Sequence, residues 1–199
     1  ISRTFDMRSR ATLAHATSLM LRVAARVLRE GIVGYPRRRI GLVYDRREFP
    51  VSLATGEQVD FWACDASALP FAPGAFALAV GMNILDCMGT PQDFLAGLGR
   101  ILAPGGKAVL TSPYDWSTGA TPVESWIGGH SQRSALAGSS ADMVRALLTP
   151  GAHPNSINTL ALEAERDGLD WQVRLHDRST MTYKLHLVVA GKSAAVVPV

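Results

Sequence analysis

The chain has 199 residues, of which 47% are hydrophobic and 19% charged, and its net charge is +3. That composition excludes a disordered chain, and the length suffices for one α/β domain with a sizeable core. Its apolar runs fall short of the roughly 20 residues a membrane-spanning helix needs, and its two cysteines, Cys64 and Cys87, lack metal-type spacing and fit a reducing cytoplasm better than a disulfide scaffold.

In chain order, ATLAHATSLMLRVAARVLREG predicts one helix. Leu13, Ala16, Met20, Val23, Ala24 and Val27 recur at spacings of three and four, and Gly31 suits the C-terminal cap. Positive charge gathers at Arg22, Arg26 and Arg29, then at Arg37, Arg38, Arg39, Arg46 and Arg47. A solvated helix face with a hairpin is the first reading of these arginines, and an anion or nucleic-acid patch is the second. Two strand-like runs, at 40–44 and 49–53, flank a charged turn, and Pro50 confines the second to an edge. Together they predict a β-hairpin inserted at about 37–53.

VDFWACDASALPF predicts a short buried strand ending at Asp65, and FALAVGMNIL a second one ending at 81–83. TPQDFLAGLGRILAPGG is the clearest helix. Thr90 and Asp93 have capping-box-like spacing, and Pro91 suits the first helical position. Phe94, Leu95, Leu98, Ile101 and Leu102 form its apolar stripe. KAVLTSPY reads as the next strand, and SSADMVRALLTPG and INTLALEAERDG as two more helices. DGLDWQVRLHDR and MTYKLHLVVAGK alternate like an antiparallel strand pair.

Ligands of open α/β sheets bind at the carboxyl ends of the parallel strands. Three such ends carry chemistry: CDASALPF, GMNILD and SPYDW. The Asp65 carboxylate suits an exocyclic amine and the Ala66 N–H a ring nitrogen, although Asp65 and Asn83 are equally ordinary turn residues. The third end opens SPYDWSTGATPVESWIGG, which holds two of the chain's four tryptophans yet has no helix or strand period. A loop pinned by its own rings and a substrate wall are both open readings of Trp126.

Taken in order, Asp65-Ala66, Leu69-Pro70-Phe71, FALAV and Ile101 to Gly106 before a strand resemble the class I S-adenosylmethionine-dependent methyltransferases. The resemblance runs from about Gln58 to Lys192. It implies an α/β, Rossmann-like sheet with helices on both faces and an antiparallel last strand, and S-adenosylmethionine as cofactor. It also implies that Asp65 and Ala66 hold the adenine, and that Asn83 and Ile84 lie beside the methionine and ribose. Within that family, Pro113, Tyr114, Trp116, Thr121-Pro122 and Trp126 to Gly129 resemble the methyltransferase domain of ovothiol biosynthesis, which methylates a mercaptohistidine imidazole. Arg174, His176 and Arg178 are similar to a segment there, whereas Asp115 and the run 117–120 depart from the pattern.

The glycine-rich loop that the resemblance implies after a first strand is missing, since Gly31 and Gly34 follow a predicted helix. Ile1-Ser2 resembles the residues just after the family's ribose-binding carboxylate, which would put Ser2 at the cofactor. The expectation is therefore a single partial domain over 1–199 that lacks the first strand, exposes an apolar edge on FALAVGM and binds S-adenosylmethionine weakly by itself.

Methyl transfer requires alignment of the nucleophile and exclusion of water, with a base only for a protonated nucleophile. Tyr114, Asp115 and His176 are the catalytic candidates, and Tyr114, Trp116, Trp126 and Arg178 the substrate-binding ones. The expected partner is a small-molecule substrate, with no membrane. Methylation of nucleic acid or protein through the basic N-terminal region, and a non-catalytic methyltransferase-like scaffold, are the alternatives.

Overall fold

A computed structural model of the chain describes residues 11–15, 18–52 and 58–193. The chain divides into two compact units. One holds the described residues up to Ala66 with Gln172–Thr182, and the other holds Ser67–Trp171 with the described residues from Tyr183 onward.

The first unit contains β1 (Ala11–His15), α1 (Ser18–Glu30), β2 (Ile32–Ile40), β3 (Val43–Pro50) and β4 (Val59–Ala63). β1 and β4 run parallel, with Ala11 opposite Val59 and His15 opposite Ala63. The expected single helix from residue 11 is thus a strand followed by a helix. Pairing with β4 overrides the helical spacing of the first five residues. Gly31 does close α1. Its φ of 63° is left-handed, and its N–H reaches the Val27 carbonyl at 2.9 Å.

The hairpin is present, but it begins at Ile32 rather than Arg37, and its turn is Gly41-Leu42 rather than the charged run. Gly41 has φ 53°, the conformation a tight hairpin turn needs, so Ile40 and Val43 sit opposite each other and the charges fall in the strands. There Arg39 pairs with Asp45, Arg46 with Glu48, and Arg37 with Asp177 from the turn after His176. The Asp177 N–H also donates to the Arg39 carbonyl.

The second unit contains β5 (Phe76–Met82), α2 (Pro91–Ile101), β6 (Leu102–Ser112), α3 (Ser140–Leu147) and most of β7 (Ala161–His176) and β8 (Ser179–Gly191). Its sheet has the order β5-β6-β8-β7; β5 and β6 are parallel, and β8 runs antiparallel to β6. The antiparallel last strand is therefore where the sequence placed it. α2 buries the stripe read from its periodicity: Phe94, Leu95, Leu98, Ile101 and the adjoining Leu102 are all 4% exposed or less. Each such side chain contributes about 1.5–3 kcal/mol. Pro91 opens α2 as expected, but Thr90 makes no side-chain cap bond. The helix expected at INTLALEAERDG is instead a turn followed by the first half of β7. Hydrogen bonding to β8 at the sheet edge outweighs the helix propensity of Leu-Glu-Ala-Glu-Arg.

Among the described residues β5 stands at the other edge of this sheet, and Leu78, Val80 and Met82 remain 56–59% exposed along one face of it. An apolar edge is a template for association. Val80→Lys is expected to raise the concentration at which the protein begins to aggregate, read by light scattering. An unchanged threshold would show that this strand does not drive aggregation.

Candidate active site

β5 and β6 end side by side, and each is left through a residue with left-handed backbone. Asn83 follows β5 with φ 52°, and Tyr114 follows Ser112 and Pro113 with φ 54°. The Asn83 N–H donates to the Thr111 carbonyl at 2.8 Å, and the Thr111 hydroxyl donates to Asn83 Oδ1 at 2.8 Å. Asparagine tolerates this conformation, whereas for tyrosine it costs roughly 1–2 kcal/mol, so the surroundings must hold Tyr114 in place.

Three contacts do so. The Tyr114 N–H donates to Ser112 Oγ at 3.0 Å. The next residue, Asp115, donates its N–H at 2.7 Å to the carboxylate of Asp86, which is 3% exposed. The Tyr114 hydroxyl meets Nδ1 of the buried His186 on β8 at 2.8 Å. Burial, more than the nearby carboxylates of Asp167 and Asp86, drives the Tyr114 phenol pKa well above its ordinary value, so the phenol stays protonated.

The aromatic residues of SPYDWSTGATPVESWIGG form one stack. Tyr114 and Trp116 lie 6.4 Å apart with planes inclined by 24°, and Trp116 and Trp126 lie 6.2 Å apart at 17°. Both indoles are fixed by their N–H groups, Trp116 to Ser140 Oγ at the start of α3 and Trp126 to the Thr121 carbonyl, each at 2.9 Å. Thr121 is fully buried and donates to the Met88 carbonyl at 2.8 Å. The loop is thus held as a rigid aromatic wall by bonds at both ends. Ring packing and a substrate surface are compatible uses of the same stack.

The remaining candidates are distributed as follows. Asp115 is exposed, and its carboxylate lies near Tyr183, whose phenol pKa is raised by burial and then by that charge. Ile84 precedes the short turn Leu85–Cys87. Asp65 and Ala66 follow β4 in the first unit. His176 and Arg178 also belong to that unit, where His176 Nδ1 accepts the Arg178 N–H at 3.2 Å and so braces the β7–β8 turn. Ser2 lies outside the described residues. His186 was not among the sequence candidates. A lone histidine in the apolar run LHLVV is a detectable sign, because a polar side chain on a buried strand face demands a partner.

The charge of the arginine hairpin is partly cancelled by the ion pairs of Arg37, Arg39 and Arg46. Cys64 and Cys87 are free thiols, and burial raises the pKa of each. Among the described residues no group of three or more His, Cys, Asp or Glu could hold a metal, and no helix is long and apolar enough to cross a membrane.

Comparison with known proteins is consistent with this layout. Residues 44–110 match the family described as Methyltransferase domain. A search of curated protein sequences finds no match. Among solved structures, a SAM-dependent methyltransferase from Methanosarcina mazei is 16% identical. It superposes with a TM-score of 0.55 over 92% of this chain and 82% of its own. A Bacillus halodurans protein described as a methyltransferase is 12% identical, with a TM-score of 0.51 over 93% and 84%. The cyclase SpnF is 16% identical, with a TM-score of 0.54 over 94% and 68%. The chain therefore has the Rossmann-like α/β fold of the class I methyltransferases.

Proposed function

We propose that the protein is an S-adenosylmethionine-dependent methyltransferase whose acceptor is a small molecule, with an imidazole nitrogen of a mercaptohistidine-like compound as the acceptor atom. The observation that carries this reading is the stacked wall of Tyr114, Trp116 and Trp126, which leaves the carboxyl end of β6 in a sheet of methyltransferase type. The match over 44–110 supports the reaction class, and the aromatic loop supports a flat acceptor.

The residues at the strand ends suit the cofactor chemically. The Asp65 carboxylate and the Ala66 N–H offer the acceptor and donor that an adenine edge needs. Asn83 has its Oδ1 occupied by Thr111, so its amide NH2 is the group it presents, a donor suited to a carboxylate or ribose oxygen. Ile84 supplies apolar surface beside it. When bound, the cofactor supplies a methyl group on a sulfonium sulfur. The protein's own part is to hold the acceptor in line against the aromatic wall, exclude water and manage the proton that the acceptor gives up. Asp115 and His176 are alternative bases, and Arg178 is an alternative contact for an acidic group of the substrate.

The paired arginines of the hairpin weaken the nucleic-acid reading, because fewer free cations remain to neutralise phosphates. Incubation of the protein with a methyl-labelled donor and a panel of imidazoles and thiols tests the proposal. Label on an imidazole nitrogen is the expected result. Label on RNA or protein only would replace this reading with one based on a macromolecular acceptor. No transfer to anything would leave a methyltransferase-like scaffold.

A further inference from the structure

His186 lies on the buried face of β8 with Val188 and Ala190, and all three are at most 2% exposed. Both of its ring nitrogens are engaged. Nδ1 meets the Tyr114 hydroxyl at 2.8 Å, and Nε2 meets Glu165 Oε2 on β7 at 3.1 Å. The row continues outward: Arg145 Nε on α3 donates to Glu165 Oε1 at 2.9 Å, and Arg145 also pairs with Asp142. The Arg145 hydrogen bond, followed by that of His186, holds the Glu165 carboxyl below its ordinary pKa, so this end of the row is ionised at neutral pH.

An ionised carboxylate only accepts hydrogen bonds, so Nε2 must carry the ring proton. In a neutral ring Nδ1 then carries the lone pair, and Tyr114 donates its O–H to it. This orientation leaves the remaining acceptor capacity of the phenol oxygen available to something else. If that oxygen receives a proton while its own passes to Nδ1, an imidazolium forms directly opposite Glu165. A ring that merely pinned the loop would need one acceptor. A carboxylate that fixes the tautomer and faces the resulting cation is the arrangement of nucleophile–base–orienter triads.

We propose that Tyr114, His186 and Glu165 form a proton relay that serves an acceptor bearing an N–H or O–H. This rests on the methyl-transfer reading above and narrows its substrate class. As the acceptor nitrogen forms its bond to the methyl carbon, the sulfur–methyl bond breaks and its electron pair stays on sulfur. The acceptor's proton moves to the Tyr114 oxygen and the Tyr114 proton moves to His186 Nδ1; after product release the Nδ1 proton returns to Tyr114 as the phenol passes its other proton to solvent. Tyr114 is the catalytic residue of the relay, and His186 and Glu165 are positioning residues. An acceptor with no proton to lose, such as 1-methylimidazole, does not need the relay.

Two measurements decide it. In the unliganded protein, ring 15N NMR is expected to show His186 with its proton on Nε2, and Tyr114→Phe is expected to move the Nδ1 resonance. A proton on Nδ1 overturns the relay. In the enzyme, methylation of imidazole and of 1-methylimidazole is compared. Tyr114→Phe and His186→Gln are expected to lower kcat on imidazole about 100-fold or more, with KM changed less than threefold and the 1-methylimidazole reaction spared. Glu165→Gln retains a hydrogen-bonding group on a partly exposed side chain, so it guards against misfolding of the His186 variant. Its expected kcat loss on imidazole is about tenfold. That loss is read across pH values above about 7, where the free imidazole is neutral and keeps its N–H. The groups facing the relay are Tyr114, Glu165, Arg145 and Asp142, with Asp86 and Asp167 near the phenol, so the same profile in all three variants is required. Equal losses on both acceptors, or losses in KM alone, overturn the relay but leave methyl transfer intact. Transfer to 1-methylimidazole only does the same. No transfer to either acceptor removes the small-molecule acceptor reading and the relay with it.

Discussion

Gly128→Ala is expected to cause the largest loss of stability of any single methyl group added to the aromatic loop. Gly128 has φ 94°, a conformation that L side chains rarely adopt. A Cβ there would lie 2.8 Å from the Ser139 carbonyl carbon, 2.8 Å from the Ser140 nitrogen and 2.9 Å from the Ser139 oxygen. These are backbone atoms at the start of α3, and they cannot swing away as a side chain would. Ser139 is the N-cap of that helix, its side chain accepting from the Asp142 N–H, and the Ser140 hydroxyl donates to the Ile127 carbonyl at 2.6 Å. Backbone strain and the clash together amount to about 2–5 kcal/mol. Chemical denaturation measures the loss. A change below roughly 1 kcal/mol would mean that α3 and the loop are not packed as described.

Asp86→Ala is the second large effect. Asp86 is buried, its Oδ2 takes the Asp115 N–H, and its own carbonyl is 3.3 Å from the Thr121 hydroxyl. Removing the carboxylate leaves a backbone donor without its partner where the chain departs from β6. A loss of about 2–4 kcal/mol is expected. Transfer activity should fall further, because Asp115 follows the strained Tyr114 and anchors the aromatic stack. Asp86→Asn keeps an acceptor oxygen and should recover most of the stability. If Asn is as damaging as Ala, the negative charge rather than the accepted bond is what the site requires.

How much of this was legible in the sequence depended on whether a local pattern agreed with the tertiary partner. The α2 stripe was readable because Phe94, Leu95, Leu98 and Ile101 repeat with the helix period and face a core that accepts all of them. The apolar run of β5 and the alternating β8 were readable for the same reason. At residues 11–15 the spacing matched a helix, but a distant strand, β4, was the partner, and nothing local announces it. The hairpin was read out of register. Its strands carry the charges, and the short turn rests on Gly41 alone. The first half of β7 is composed of good helix formers, and its pairing with β8 decided otherwise.

The candidate site was partly legible for a similar reason. Tyr114, Trp116 and Trp126 lie close in sequence, so their clustering was visible, and the structure stacks them. His176 neighbours arginines that resemble a known segment, yet its ring accepts a turn N–H. His186 reaches Tyr114 across 72 residues and Glu165 across 21, distances over which a single sequence shows no pairing. Only its burial within an apolar strand hints at it.

Transfer of a labelled methyl group from S-adenosylmethionine by the protein, with mercaptohistidine and simpler imidazoles as acceptors, is the decisive measurement. The expected product carries the label on a ring nitrogen. Label on sulfur alone would contradict the imidazole assignment, and no labelled product across the acceptor panel would contradict methyl transfer itself.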